Sequence, residues 1–480
     1  MTSVLHGRQL ARLLGRWHAV RGVPDYVALA TAVRGLLNDG RLALGLRLPA
    51  ERELAVALGI SRTTVTAGYR LLRESGHATS RRGAGSWTTM PAGARVGAAG
   101  VWTASPAPDM IDLGRAALDA PPELAAAAAE ALTDLPRYLG DAGYHPVGLI
   151  ELRAAVAHGY TERGLPTSPE QIMITSGVQN ALDLAVRLLV PVGQPVLVES
   201  PTYPNALVGF AARRARMLTY GLDDTGWDAE LLLDALRQNR PRMAYLIPEF
   251  QNPTGHLMPQ SLRERLPAAA HSAGTDLVVD ESFVDLALDV DDMPPPVASF
   301  DRHARVLSIG GMSKTYWGGL RIGWIRAAAP LVQRLAAVRV GVDMSGPVLD
   351  QLVAARLLMH ATSVVAARRA RLRRQRDALM AALRERLPEW RFRVPAGGVT
   401  LWVELDAPIS SPLCRAAEQY GIRLAPGPRF GMDGTMERFL RLPFTLPERD
   451  LLEAVDRIAE ARGDLDTPSR RGYDTPALVA

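Results

Sequence analysis

The chain contains almost no lysine. Of its 55 lysine and arginine residues, 54 are arginine and one, Lys314, is lysine. An arginine cannot form a Schiff base, because its guanidinium stays protonated and is a poor nucleophile. The sequence therefore excludes such chemistry at every side chain other than Lys314, which is a candidate covalent attachment point unless it is an ordinary surface lysine.

Cysteine and long apolar runs are also scarce. Cys414 is the only cysteine, so no disulfide forms within the chain, which fits a reducing compartment. No apolar run reaches the roughly 20 residues that span a bilayer, and residues 1–21 lack the apolar core of a signal peptide. We therefore expect a cytoplasmic protein without a membrane partner, and we predict no metal site.

Positive charge is concentrated at the N-terminus. Residues 1–95 contain 14 arginines and five acidic residues, a net charge of +9, so the remainder carries −4 of the total of +5. A basic module on a slightly acidic body suggests that the N-terminal part binds a polyanion. A solvated arginine-rich surface is the alternative that charge alone leaves open.

Composition divides the sequence into four regions. Residues 20–90 show short helical periods, and residues 91–108, rich in Ala, Gly, Pro and Val, are predicted to be a linker. In residues 109–463, apolar strand-like runs alternate with helical runs, which predicts an α/β domain with a mostly parallel sheet covered on both faces. Residues 464–480 are predicted to be a disordered tail.

The first region contains a helix-turn-helix pattern. Leu48–Ala55 has a proline at its entrance and carboxylates in its first turn, which is typical of a helix start. Gly59 ends that helix, and Ser61 caps a second helix predicted over Arg62–Ser75. Two short strands joined by a basic, glycine-rich turn follow within residues 76–87 and would form a wing.

This stretch, which includes LPAERELA and LGISRTTV, closely resembles the GntR-type winged helix-turn-helix, an α+β DNA-binding domain. The resemblance implies binding of double-stranded DNA. Arginine suits phosphate or guanine, and threonine suits phosphate or the thymine methyl group. The candidate DNA-binding residues are Arg52, Arg62, Thr63, Thr64, Arg81, Arg82 and Gly83. A helical scaffold or a protein-docking module is the alternative.

The third region contains strand candidates that each precede a polar cluster. They are Ile172–Thr175, Pro195–Glu199, Met243–Pro248, Asp276–Asp280 and Arg305–Ile309. In open α/β sheets, ligands bind beyond the carboxyl ends of the strands. The clusters therefore fall where a site is expected.

Three of these clusters suit different parts of one flat, phosphorylated cofactor. Thr175–Gln179 opens a helix whose free N–H groups can bind a phosphate. Tyr203 offers a ring that can stack on the cofactor, although alone it would be interpreted as a core tyrosine. Asn252, in a stiff Asn-Pro-Thr-Gly loop that is also a common turn, could donate to a phenolate oxygen.

Lys314 and two charged residues complete the pattern. Asp280 follows a buried run and needs a cationic partner, which a protonated pyridine nitrogen would provide, unless Asp280 caps the next helix. Lys314 follows a strand, and Arg321 comes seven residues later, where it can bind phosphate. Together, this order and spacing is what a covalently bound pyridoxal phosphate (PLP) requires.

Residues 109–463 resemble the fold-type I aminotransferases of class I/II, a three-layer α/β domain with a smaller C-terminal α+β subdomain. The resemblance implies that Lys314 forms the internal aldimine, Asp280 pairs with the pyridinium nitrogen and Asn252 bonds the 3′-oxygen. It also implies that Tyr203 stacks on the ring and that Arg441 binds a substrate or effector carboxylate. The residues implied to hold the phosphate are Val178, Gln179, Ser313 and Arg321.

Two positions depart from the family pattern. Phe283 stands where the family usually has a tyrosine, three residues after the aspartate, and it cannot bond the 3′-oxygen. Gly311 stands where the family often has a serine, three residues before the lysine, and this removes one phosphate ligand. Both losses argue against efficient transamination without excluding cofactor binding.

A run of basic residues, Arg368–Arg376, has the period of a helix. We interpret it as a solvated helix face. Contact with DNA, or a link between the domains, is the alternative.

A GntR-type module fused to a fold-type I domain is the architecture of the MocR-type transcription regulators, which this chain resembles along nearly its whole length. The resemblance implies a homodimer with one DNA module on each subunit. We hypothesise that the large domain senses an amine, an amino acid or a B6 vitamer through Lys314 and shifts the spacing of the DNA modules. An active aminotransferase carrying a DNA module, and a scaffold that binds DNA without cofactor, are the alternatives.

Overall fold

The computed structural model describes residues 5–15, 17, 23–81, 85–91 and 109–466. The predicted linker beyond Pro91, and the predicted tail beyond Asp466, therefore lie outside the described residues. The N-terminal domain contains α1 (Gly7–Leu14), α2 (Asp25–Asn38), α3 (Glu51–Leu58), α4 (Arg62–Glu74), β1 (Ala78–Arg81) and β2 (Gly85–Thr88).

Local chemistry explains the two central helices of this domain. Gly59 adopts a left-handed conformation (φ 68°) that ends α3, as its position in the sequence predicts. The Ser61 hydroxyl accepts a hydrogen bond from Thr64 N at 3.0 Å and caps α4. The buried Tyr69 hydroxyl donates to Pro49 O at 3.0 Å and joins α4 to the segment before α3. Strands β1 and β2 pair antiparallel and form the predicted hairpin.

The large domain contains the remaining elements. In chain order they are β3 (Ile111–Asp112), α5 (Glu123–Asp134), α6 (Ile150–Glu162), β4 (Ile172–Thr175), α7 (Val178–Leu189), β5 (Pro195–Ser200), α8 (Pro204–Ala212), β6 (Arg216–Gly221), α9 (Ala229–Asn239), β7 (Met243–Leu246), α10 (Gln260–Ala273), β8 (Asp276–Asp280), β9 (Val306–Gly311), β10 (Gly323–Arg326), α11 (Ala329–Val340), α12 (Val348–Leu358), α13 (Ala361–Arg386), β11 (Arg391–Phe392), β12 (Thr400–Glu404), α14 (Ser410–Gln419), β13 (Ile422–Arg423), β14 (Ala425–Pro426), β15 (Phe439–Pro443) and α15 (Glu448–Asp466).

A seven-stranded sheet forms the centre of the large domain, in the order β4-β10-β9-β8-β7-β5-β6. Strands β5 to β9 pair parallel, whereas β10 pairs antiparallel with both β9 and β4. Apolar side chains of the sheet pack against helices on both faces, so the domain has three layers, as predicted. Strands β6 and β10 were not among the strand candidates that the sequence suggested.

A smaller subdomain follows, with a four-stranded sheet in the order β11-β12-β15-β14 and a core shared with α13 and α15. Helix α13 carries the basic run, and the interpretation of that run as a solvated face is wrong for two of its arginines. Arg368 and Arg376 are 5% and 4% exposed. Arg368 donates to Thr315 O at 3.1 Å, and Arg376 donates to Pro395 O at 2.9 Å, because carbonyl groups of neighbouring segments face this helix.

No single helix among the described residues has the length and apolarity needed to cross a bilayer. One pair, α12 with α13, passes that test of length and composition only when taken together, and the two helices are bent by 77° relative to each other.

Candidate functional site

The turn between β4 and α7 forms an anion-binding corner. Gly177 has a φ of 90° and precedes Val178, so the first N–H groups of α7, at Val178 and Gln179, are free of helical partners. The guanidinium of Arg321 lies over this turn, and its Nη2 donates to Ser176 O at 3.0 Å. An arginine beside a helix N-terminus provides the charge and the donors that a phosphate needs.

Two glycines clear the space beside this corner. A Cβ at Gly323 would lie 2.5 Å from Gly177 C, and a Cβ at Gly311 would lie 2.7 Å from Val178 Cγ2 and 3.0 Å from Ile322 O. The departure at Gly311 therefore has a steric cause, because the side chain of Val178 occupies the space that a serine would need.

Restoring the serine at position 311 will damage the site. We expect Gly311→Ser to lower the free energy of unfolding by about 1–3 kcal/mol, the usual cost of overpacking, and to weaken PLP binding by displacing Val178. Thermal denaturation and PLP titration measure the two effects. Gly318→Ser, whose Cβ would have no atom within 4 Å, is the control. Tighter PLP binding by Gly311→Ser would contradict the steric explanation.

Lys314 lies in a π-helical turn, Ser313–Trp317, just after β9. Its Nζ donates to Ala116 O at 2.7 Å. Burial and the nearby Arg441 together lower the pKa of Lys314 to about 8, and Asp280 opposes the shift. A lysine with this pKa is about half neutral at pH 8 and largely a neutral, nucleophilic amine about one pH unit higher.

The carboxylate of Asp280 accepts hydrogen bonds from two sides. Tyr245, on the neighbouring β7, donates its hydroxyl to Oδ2 at 2.7 Å, and Ser282 N donates to Oδ1 at 3.0 Å. Burial raises the pKa of Asp280, and the donors from Ser282 and Tyr245 oppose that rise. Sequence reasoning missed Tyr245, because its short strand reads as an apolar run and only the sheet register brings it to Asp280.

Phe283 lies where the aminotransferase pattern usually has a tyrosine. Its ring is 96% buried, and its centroid lies 5.8 Å from Lys314 Nζ. The apolar ring therefore covers one side of the amine, contributes to its burial, and offers no donor to a cofactor oxygen.

The loops that carry Tyr203 and Asn252 are tied together. Gln251 donates to Pro201 O at 2.7 Å, and it also donates to the buried carboxylate of Glu199 at 3.0 Å. Asn252 is buried, and its Oδ1 has no hydrogen-bond partner among the described residues. An amide in this state is costly unless a ligand completes its hydrogen bonds.

Tyr203 precedes α8, and its hydroxyl accepts a hydrogen bond from Asn205 at 2.9 Å. Burial raises the pKa of Tyr203 against that hydrogen bond, and Asp280, Arg441 and Arg321 also act on it electrostatically. Charged residues from three separate segments therefore act on one tyrosine side chain.

Arg441 lies on β15 and is 4% exposed. Its Nη2 donates to Gly114 O, and its guanidinium carbon lies 5.1 Å from the centroid of the Phe430 ring. Its Nε has no hydrogen-bond partner among the described residues. Burial lowers the pKa of Arg441 to about 10, and Arg429 adds to the shift. A buried guanidinium with donors to spare is suited to bind a carboxylate.

Arg368 supports the lysine turn from α13. It donates to Thr315 O at 3.1 Å and to Tyr316 O at 3.1 Å, the two carbonyl groups that follow Lys314. Thr315 in turn donates its hydroxyl to Asp285 at 3.1 Å. Sequence analysis assigned Arg368 to a solvated surface and so missed this supporting contact.

The predicted DNA-binding residues of the helices lie at one surface. Arg52, Arg62 and Thr63 are exposed, and Thr64 is half-buried beside the Ser61 cap. Arg62 Nε also donates to Glu51 at 3.3 Å, so DNA binding by Arg62 has to compete with an exposed ion pair, which is weak.

The predicted residues of the wing are only partly described. Arg81 is the last residue of β1. Arg82 and Gly83 lie outside the described residues. The DNA-binding roles of Arg81, Arg82 and Gly83 therefore stay a prediction.

The donor set of the large domain fits PLP. The corner at Gly177 and Arg321 suits its phosphate, and Asp280 is a buried carboxylate that needs a cation. The buried Asn252 carries an amide Nδ2 group, which is the kind of donor that a phenolate oxygen needs. Lys314 supplies an amine whose pKa is lowered to about 8. Each chemical feature of the cofactor therefore has a residue of suitable chemistry.

Two family profiles match the sequence. The family described as aminotransferase class I and II matches residues 108–458. The family described as bacterial regulatory proteins, gntR family, matches residues 25–87.

Individual proteins fall into enzymes and regulators. A 2-aminoadipate transaminase of Thermus thermophilus is 34% identical over 70% of this chain and 85% of its own length. The transcriptional regulator TauR of Rhodobacter capsulatus is 28% identical over 89% of this chain and 94% of its own length. The crystal structure of LysN, an α-aminoadipate aminotransferase of Thermus thermophilus, superposes with a TM-score of 0.68 at 32% identity and covers 75% of this chain and 93% of its own.

PLP is the cofactor that this family membership and these structural neighbours imply. The match to the regulators extends over both domains, whereas the match to the enzymes covers the large domain. The chain belongs to the aminotransferase class I and II family and joins that domain to a gntR-type DNA-binding domain, the architecture of the MocR-type transcription regulators.

Proposed function

We propose that the protein regulates transcription in response to an amine, an amino acid or a B6 vitamer that the large domain senses through Lys314 and its PLP. The proposal includes a homodimer, with residues 20–90 of each subunit as the DNA-binding domain. Two features together support it best: a gntR-type domain, and a half-buried lysine of lowered pKa near Asp280.

The cofactor would be held by the residues around Gly177. Lys314 would bind it covalently, Asp280 would pair with its ring nitrogen, and Asn252 would bond its 3′-oxygen. When bound, PLP supplies an electrophilic carbon that reacts with amines and a ring that withdraws electrons. Tyr203 would stack on the ring, and the phosphate would be held by Val178, Gln179, Ser313 and Arg321.

The side chains of this chain would perform the recognition. Arg441 would bind the carboxylate of an amino acid, and the apolar ring of Phe283 would keep water from the amine of Lys314. Tyr245 would hold Asp280 in place and keep it ionised, because a hydrogen bond to a carboxylate favours its charged form. These contacts select a ligand that carries both an amine and an acidic group.

The pH dependence of cofactor attachment tests the role of the lysine. Because burial lowers the pKa of Lys314 to about 8, its neutral form grows as pH rises to that value. We expect the rate of PLP attachment to the apo-protein to rise about tenfold per pH unit below pH 8 and to level off above it. Stopped-flow absorbance measures this rate, and Nα-acetyl-lysine is the control. A rate that still rises steeply above pH 10 would contradict the lowered pKa.

A catalytically active aminotransferase is the second candidate, and the retained pair of Lys314 and Asp280 favours it. Phe283 and Gly311 argue against it. The experiment that separates the two functions adds a panel of amino acids and amines to the PLP-loaded protein and follows both keto-acid release and DNA affinity. Altered DNA affinity with slow or no release supports the regulator. Rapid turnover with any member of the panel supports the enzyme.

A further inference from the structure

The turn after α2 is one of the places where the DNA-binding domain contacts the large domain. Residues 38–41 follow α2, and we call them the junction turn. The carbonyl of Asn38 accepts a hydrogen bond from Met436 N at 2.5 Å. The junction turn is therefore bound, through the backbone, to the loop that precedes β15.

Two glycines bring the domains closer than side chains would allow. A Cβ at Gly221, the last residue of β6, would lie 2.4 Å from Arg41 O. A Cβ at Gly40 would lie 2.1 Å from Met436 Cε and 2.9 Å from Ser200 Oγ. The backbones of Gly221 and Arg41 are therefore in direct contact, and Gly40 lies against two side chains of the large domain, so a displacement on one side has to move the other.

On the large-domain side, this contact leads to the candidate site. Ser200 ends β5 and lies three residues before Tyr203. Thr202 N donates to Phe430 O at 2.9 Å, and the ring of Phe430 lies 5.1 Å from the guanidinium of Arg441. The loop with the stacking tyrosine and the loop beneath the carboxylate-binding arginine are thus joined by a backbone hydrogen bond.

The loop from Phe430 to the junction is also tightly packed. A Cβ at Gly427 would lie 2.1 Å from Met436 O, and a Cβ at Gly431 would lie 2.2 Å from Thr435 Oγ1. A segment packed this closely moves as a unit, because packed regions change between discrete arrangements and do not deform gradually. Motion at Phe430 therefore reaches Met436.

Other contacts between the domains include two polar pairs. Gln9 donates to Asp234 at 3.0 Å, and Arg12 pairs with Asp228 at 2.8 Å. The side chain of Arg12 is 51% exposed, and exposed ion pairs contribute little to stability. The close contact at the junction turn is therefore better suited than these two pairs to transmit a displacement.

We propose that the junction turn couples the candidate site to the DNA-binding domain. Binding of a ligand at Arg441 and Tyr203 shifts the loops that carry Phe430 and Ser200, and the shift repositions residues 38–41 and the domain attached to them. This inference rests on the proposed function and names its route of regulation. Coupling between two sites typically changes an equilibrium by about 5- to 150-fold.

Gly221→Ala in the full chain tests the route. The three atoms nearest its new methyl group all belong to Arg41, so the clash is with the DNA-binding domain alone. Gly159→Ala, in α6, is the matched control, because its added methyl group would have no neighbouring atom within 4 Å. Hydrogen–deuterium exchange over residues 36–43 is measured in the apo-protein, with PLP, and with PLP plus an amino acid, together with the absorbance of the bound cofactor.

In the wild type and in Gly159→Ala, we expect exchange in the junction turn to change about fivefold or more on ligand binding. In Gly221→Ala the turn should exchange fast and equally in all states, while the cofactor absorbance is retained. If Gly221→Ala loses the cofactor, Met436→Ala is used in its place. This variant removes the side chain that faces Gly40 and adds no atoms, and the same result is expected of it.

Each contrary outcome has a distinct meaning. Unchanged exchange in the wild type, with the cofactor bound, overturns the coupling and leaves the proposed function intact. A ligand response in Gly221→Ala equal to that of the wild type also overturns the coupling. The absence of any cofactor absorbance from the wild type would overturn the proposed function itself, and the coupling with it.

Discussion

Replacing Lys314 with arginine is expected to abolish covalent binding of PLP. The substitution keeps the positive charge but leaves a chain with no lysine at all. After borohydride reduction, mass spectrometry should find no phosphopyridoxyl group on any side chain, and the Kd for PLP should rise about 100-fold or more, about 2.8 kcal/mol. Peptide mapping distinguishes a phosphopyridoxyl group on a side chain from one on the N-terminal α-amino group.

The matched control puts a lysine elsewhere. Arg449 is 90% exposed, so Arg449→Lys in the Lys314→Arg background restores a lysine to the chain but places it on the surface. A surface amine keeps its ordinary pKa and lacks the neighbouring Asp280, so we expect no stable cofactor binding. Recovery of binding by this double variant would show that position 314 has no special role.

Truncating Arg441 to alanine should have the second largest effect. Removal of a buried arginine that pairs with a ligand carboxylate typically costs about 2–5 kcal/mol of binding free energy. The half-saturating concentration of an amino acid should therefore rise about 30-fold or more. Titration with amino acids, followed by the absorbance of the bound cofactor, measures this concentration. Arg449→Ala is the surface control.

Matched amines decide what Arg441 does. The guanidinium also bonds Gly114 O and lies over Phe430, so its removal could simply disturb the site. The decarboxylated amine of each amino acid has no carboxylate to lose, so it should bind the wild type and Arg441→Ala about equally. Equal weakening for amines and amino acids would assign Arg441 a structural role instead.

Much of the local structure was predictable. Apolar runs of strand length correctly located β4 and β8 to the residue, and the serine cap and glycine turn located α3 and α4. These features are local, because hydrophobic period, caps and turn residues act within a few positions of one another.

The burial and the hydrogen-bond partners of polar side chains were less predictable. Arg368 reads as part of a basic, solvated helix, yet it is buried against the carbonyl groups after Lys314. Tyr245 reads as one apolar residue of a short strand, yet it donates to Asp280. In both cases the partner lies far away in sequence, 53 and 35 positions respectively, so no local pattern contains the information.

The sequence by itself determined the chemistry that is available: one lysine amine in the whole chain, a carboxylate after a buried strand, and a basic helix-turn-helix at one end. Only the tertiary structure decided which groups meet. It packs Val178 against Gly311, sets Tyr245 against Asp280, and brings Gly40 and Gly221 together at the junction turn. The physical reason is that residue types and periods specify local elements, whereas strand register and close packing between distant segments arise only once the whole chain has folded.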